Sequence, residues 1–158
     1  MGKFFESLKE EHVNFIKAQK VFFIGTASDK KGINISPKGV YSIKVLDKNR
    51  VAYLGLPGSG NRTAEDIAEG SGVTLMFCGF DEKPMIVRLF CKGETLKKGD
   101  DSFAKLAALW DGDSGKNPAE RARDIFLLHV EKVHKSCGFG VPIYSYVGDK
   151  REASLLGK

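Results

Sequence analysis

Phe5, Leu8, His12, Phe15 and Ile16 fall on one face at helical spacing, which predicts an amphipathic helix over residues 3–18 that needs a surface to lie on. From Lys20 the period drops from about 3.6 residues to about 2, the signature of a strand. Val21-Phe22-Phe23-Ile24-Gly25-Thr26-Ala27 reads as one strand, Asp29-Lys30-Lys31-Gly32 as a turn, and Ile33-Asn34-Ile35-Ser36 as the strand that pairs back. Tyr41, Ile43 and Val45 alternate with polar neighbours up to a turn at Asp47-Lys48-Asn49-Arg50. Val51-Ala52-Tyr53-Leu54 then begins another strand.

A Gly-rich stretch from Gly55 to Gly60 follows, and residues 61–69 read as a short helix closed by Gly70 at its C′ position. Strands return at Val73–Phe80 and Met85–Leu96 and form a hairpin around Asp81-Glu82-Lys83-Pro84. Phe103, Leu106, Ala107 and Trp110 mark a helix, and Pro118 suits the first position of another helical turn. Residues 124–135 fit a helix in their first half and a strand in their alternating, β-branched second half; strand is the reading adopted. About six strands with three short helices imply a mainly β, α+β architecture, an antiparallel barrel or sandwich and not a parallel βαβ order.

Composition narrows the picture. The 158 residues and 17.3 kDa fit one domain spanning 1–158, an N-terminal helix over 1–19 and a barrel core over 20–148. Gly accounts for 18 residues and Pro for 5, as expected of short elements joined by tight turns. No apolar run approaches the ~18 residues of a membrane span, so no membrane association is expected. The net charge is +5 and the pI near 9.1, but acidic residues interrupt every basic cluster; this favours small anions over nucleic acid. Cys78, Cys91 and Cys137 include no C-x-x-C pair and fit a reducing cytoplasm, and the start of the chain reads as no targeting segment. His129 and His134, five apart, do not converge on one ion, so no metal site is expected.

Three segments carry candidate chemistry. Gly55-Leu56-Pro57-Gly58-Ser59-Gly60-Asn61-Arg62-Thr63 lies between a strand and a helix. As a P-loop it has Asn61 where Lys must stand, and as a dinucleotide fingerprint it has Thr63 in place of the third Gly. What survives is an anion site of Ser59, Asn61, Thr63 and the Arg62 guanidinium, against an ordinary loop with Asn61 as N-cap. Ser36-Pro37-Lys38-Gly39 ends a strand and puts an ammonium at the rim of the sheet, the bland alternative being a turn with a solvated Lys. Arg88 shares a strand face with Ile86 and Phe90 and faces either solvent or a partner anion, because burying an unpaired guanidinium costs too much. Cys137 and Gly138 lie in the Gly-rich loop Ser136-Cys137-Gly138-Phe139-Gly140-Val141-Pro142, which reads as a cleft lining.

Taken in order, Asn34-Ile35-Ser36-Pro37-Lys38-Gly39, Val51-Ala52-Tyr53-Leu54, Gly58-Ser59-Gly60-Asn61-Arg62-Thr63-Ala64, Ile86-Val87-Arg88-Leu89 and the segment 136–142 resemble the pyridoxamine 5′-phosphate oxidase-like family of FMN-binding split barrels, over roughly residues 20–148. The resemblance implies a homodimer of antiparallel split barrels with FMN in a groove between the subunits. The family's phosphate-holding Ser-Arg-Lys cluster matches Asn61, Arg62 and Thr63, so one of its two cations is replaced. Lys38, with Lys44 as the alternative, matches the contact to the flavin ring, and Cys137-Gly138 of the second subunit would supply the other wall. Ile86 stands where the oxidases carry a flavin-binding Gln, and nothing after Tyr146 resembles their substrate-binding Arg-Leu-x-Pro segment. The resemblance therefore implies a cytoplasmic FMN-dependent oxidoreductase acting on an unidentified small molecule and points away from pyridoxamine phosphate oxidation. The alternative is a protein that binds or stores flavin without turnover.

Overall fold

The computed structural model describes residues 2–58, 61–111 and 117–150. Along the chain run β1 (Lys3–Phe5), α1 (Glu10–Ala18), β2 (Val21–Ser28), β3 (Gly32–Gly39), β4 (Ile43–Val45), β5 (Arg50–Gly55), α2 (Arg62–Ala68), β6 (Val73–Cys78), β7 (Met85–Lys97), α3 (Asp101–Ala107) and β8 (Asp124–Cys137). The strands form one sheet in the order β3-β2-β6-β7-β8-β5-β4, with β1 added beside β8. Every pairing is antiparallel, and the sheet curls into a half-barrel flanked by three short helices. This is the expected split-barrel architecture.

The two longest strands set the frame. β7 and β8 pair along their whole lengths, with a bulge at Phe90/Cys91. On its other edge β8 meets β5 only over Asp124–His129, because β5 has 6 residues against 14 in β8. The backbone groups left over are taken by β1, which pairs Lys3 with Lys135 and Phe5 with Val133. The helix predicted over 3–18 therefore begins late. Residues 3–5 close an open sheet edge, and α1 starts only where the Lys9 N–H finds an acceptor in His12 Nδ1 at 3.1 Å.

Ser36–Gly39 also differs from the predicted turn, since these residues complete β3. Being an edge strand, β3 tolerates Pro37, whose missing N–H disrupts no second ladder. The chain turns afterwards, through a 3-10 turn at Val40–Ser42 that takes up Tyr41.

Inside the half-barrel Phe22, Ile24, Leu75, Phe77, Val87, Leu89 and Leu128 are fully buried, and α1 closes one end with Phe15 and Ile16. Burying each of these side chains stabilises the fold by roughly 1.5–3 kcal/mol. A second cluster forms outside the sheet, where Phe103 of α3, Trp110, Ala119 and Ala122 cover Ala52, Leu54 and Ile125. That explains the unbroken apolar run of β5: Val51 and Tyr53 face one cluster, Ala52 and Leu54 the other.

Candidate functional site

A cavity of about 400 Å3 opens between β3, the Val40–Ser42 turn, the end of β5 and the start of α2. Alternation along β3 selects its lining. Asn34, Ser36 and Lys38 are half-buried toward it, whereas Ile33 and Ile35 on the opposite face are 80% and 68% exposed. Pro37 and Gly39 complete that wall. Tyr53 and Gly55 come from β5, Asn61, Arg62 and Thr63 from the start of α2, and Arg123 from the residue before β8. Gly55 cannot be larger, since a Cβ there would approach Phe126 to 2.8 Å and the Asp124 carbonyl oxygen to 3.2 Å.

Lys38, Arg62 and Arg123 make the described lining cationic, and it contains no carboxylate. Arg62 is held from behind: its Nε donates to Asp66 Oδ1 at 2.6 Å and its Nη2 to the Gly32 carbonyl at 2.6 Å. Asp66 is fully buried and also accepts from Thr26 Oγ1 at 2.6 Å. Burial alone would raise its pKa, but the bonds from Thr26 and Arg62, together with the Arg62 charge, keep the carboxyl below its ordinary value. Arg123 Nη2 donates to Asn61 Oδ1 at 2.8 Å, and its Nε pairs with the buried Asp124 at 3.2 Å. Burial pushes the Lys38 ammonium pKa down. Burial also lifts the Tyr53 phenol to about 12, against a smaller lowering by its hydrogen bond with Thr63, so Tyr53 stays a neutral donor beside the cavity.

The structure gathers Ser36, Pro37, Lys38, Gly39, Asn61, Arg62 and Thr63 around one groove. Ser59 lies outside the described residues. Lys44 does not line the groove; it pairs with Ala52 in the ladder. Arg88 is half-buried elsewhere on the sheet, 3.5 Å from His134 Nδ1 and 3.3 Å from Ser136 Oγ. Cys137 is exposed at the end of β8, in a shallow hollow shared with Lys3, Lys83 and Lys135, and Gly138 is buried against Pro84 and Met85. Within one chain these three residues do not reach the groove. Arg123 escaped the sequence reading because nothing local distinguishes it; only the β5–β8 register, with Gly55 opposite Asp124, carries it there.

The fold and its lining define a split barrel whose groove carries Lys38, Arg62 and Arg123. The chain belongs to the pyridoxamine 5′-phosphate oxidase family, whose model matches residues 8–137. It is 36% identical over 152 residues to the pyridoxamine 5′-phosphate oxidase family protein ustO of Aspergillus flavus, an alignment covering 94% of this chain and 59% of that protein. The chain thus spans about three-fifths of the length of that curated relative. A structure from Lactobacillus delbrueckii, named as a candidate pyridoxamine 5′-phosphate oxidase, superposes with a TM-score of 0.64 at 26% identity, covering 82% of this chain and 94% of the other. An FMN-binding protein from Syntrophomonas wolfei shares the fold with a TM-score of 0.57 at 10% identity, over 77% of this chain and 80% of its own.

Proposed function

We propose that the groove holds FMN and that the protein is a flavin-dependent oxidoreductase acting on a small molecule. The observation that carries this reading is the groove itself, whose described lining brings Lys38, Arg62 and Arg123 together with no carboxylate among them. Its volume falls in the range of about 300–1,000 Å3 usual for small-molecule sites. Arg62 and Asn61 would take the phosphate, and Lys38 would meet the ring at the other wall. Flavin, when bound, supplies the hydride chemistry; the protein binds and orients it.

The functional unit in this reading is a homodimer. The groove is open, and Ile33 and Ile35 present an apolar face with Phe23 and Met76 that a second copy would cover. Arg88, Cys137 and Gly138 would then serve the second subunit's groove. No helix among the described residues is long and apolar enough to cross a membrane.

Reconstitution with excess FMN, desalting and a visible spectrum test the reading: a retained flavin spectrum is expected, and its absence would end it. NAD(P)H consumption by the reconstituted protein with an electron acceptor then separates an oxidoreductase from a protein that only stores flavin.

A further inference from the structure

Two arginines reach the same end of the groove from distant parts of the chain. Asn61, the residue before Arg62, accepts from Arg123 Nη2 at 2.8 Å, which ties the start of α2 to the start of β8. Each guanidinium is oriented by a buried aspartate on its Nε edge, Asp66 for Arg62 and Asp124 for Arg123. The backbone of Arg123 is fixed as well, its N–H donating to the Gly55 carbonyl at 2.9 Å. Thr63, by contrast, is buried at the groove wall and carries no charge.

Resting on the flavin reading above, we infer that Arg123 is the second phosphate-binding cation of this site, and that the Arg62–Arg123 pair selects a terminal phosphate monoester over a phosphodiester or a neutral alcohol. A phosphate monoester carries about −1.5 to −2 charges at pH 7 and three strong acceptor oxygens, more than one guanidinium satisfies. Each guanidinium plane is fixed by two protein acceptors, Asp66 and the Gly32 carbonyl for Arg62 and Asp124 and Asn61 for Arg123, so the pair meets that acceptor set with preset donor directions. Because a carboxylate already faces the Nε edge of each arginine, the attraction depends on directed hydrogen bonds more than on uncompensated charge. Lysine, which keeps the charge and loses the fork, is therefore a poor substitute at position 123.

The test is a fluorescence titration of FMN, FAD and riboflavin with the wild type, Arg123→Gln and Arg123→Lys, each checked for a cooperative thermal transition well above the temperature of the titration. The Arg123 side chain is 41% exposed, so both variants should fold, Arg123→Gln with a lowered thermal midpoint because the buried Asp124 loses its cationic partner. In Arg123→Gln, FMN binding should weaken about tenfold or more, the scale of a lost charge-assisted hydrogen bond, while riboflavin changes less than about twofold. Arg123→Lys should recover only part of the loss, and the wild-type preference for FMN over FAD should shrink in both variants. An equal loss for FMN and riboflavin, or no loss for either, would overturn the role of Arg123 and leave the flavin reading standing. Absence of binding of all three flavins by the wild type would overturn both.

Discussion

Arg62 and Asp66 stand one turn apart on α2, joined by a 2.6 Å bond from Nε to Oδ1, with the carboxylate fully buried and the guanidinium a quarter exposed. The aspartate holds the arginine at the groove, and the arginine supplies charge to a carboxylate that water does not reach.

This pair makes Arg62→Ala a double lesion. FMN affinity should fall by about 1.5–3 kcal/mol, the scale of a lost hydrogen bond to a charged group, while riboflavin is affected far less. Stability should fall too, by about 1–3 kcal/mol, because Asp66 keeps only Thr26 as an uncharged partner. The sequence alone, placing Arg62 at an exposed helix start, predicts little loss of stability. Flavin titration and denaturant unfolding of the same variant measure the two effects separately, and equal losses for FMN and riboflavin would remove Arg62 from the phosphate.

Acid should destabilise the protein in two stages. His12 is fully buried, its Nδ1 accepts from Lys9, its Nε2 has no hydrogen-bond partner, and burial holds its pKa below the ordinary value. The unfolded chain therefore binds the proton more readily, so this contribution is complete above about pH 6.5 and is lost as pH falls through the folded value. Asp66, also lowered, contributes above about pH 4 and is lost below it. Urea midpoints from pH 8 to 3 should show both declines, and His12→Leu should remove the upper one only.

Lys38 should act on reduction more than on binding. A cation beside the N1/O2 edge of the flavin favours the reduced, more negative form, so Lys38→Met should lower the midpoint potential. A loss of ~1.4 kcal/mol corresponds to about 30 mV for a two-electron couple. Lys44→Met is the control, since Lys44 does not line the groove. A potential unchanged in the first variant and lowered in the second would transfer the role to Lys44.

Association should follow the outer face of β3. Ile35→Lys places a charge on a surface that the proposed dimer buries, and should convert a two-chain mass to a one-chain mass with a parallel loss of FMN affinity. Light scattering decides: a wild-type protein of one-chain mass that still binds FMN tightly would dispose of the two-subunit groove.

Much of the fold is legible because its strands obey local rules. The alternation of β2, β6 and β7 is explicit, and the short helix ends where Gly70 adopts φ +87°, a conformation that favours glycine. Features set by long-range pairing are not legible. β1 forms because β5 is too short to cover β8, which no window around Phe4 reveals. The side of the sheet that Lys38 faces depends on β3 continuing to Gly39 instead of turning at Pro37. Arg123 and Asn61 meet only through the β5–β8 ladder.

The groove has one stiff wall and one compliant wall. β5 is packed on both faces and laddered on both edges, so displacing it would disturb two apolar clusters at once. β3 is laddered on one edge only and begins from the exposed turn at residues 29–31. Ligands of different width would therefore be accommodated by β3, while the arginine end, braced by Asp66 and Asp124, keeps its spacing. Divergence in what the site accepts is cheapest along Ser36 and Lys38, where a changed side chain alters the width of the opening without touching the anchor, whereas Asn34 bonds the Thr26 hydroxyl that braces Asp66.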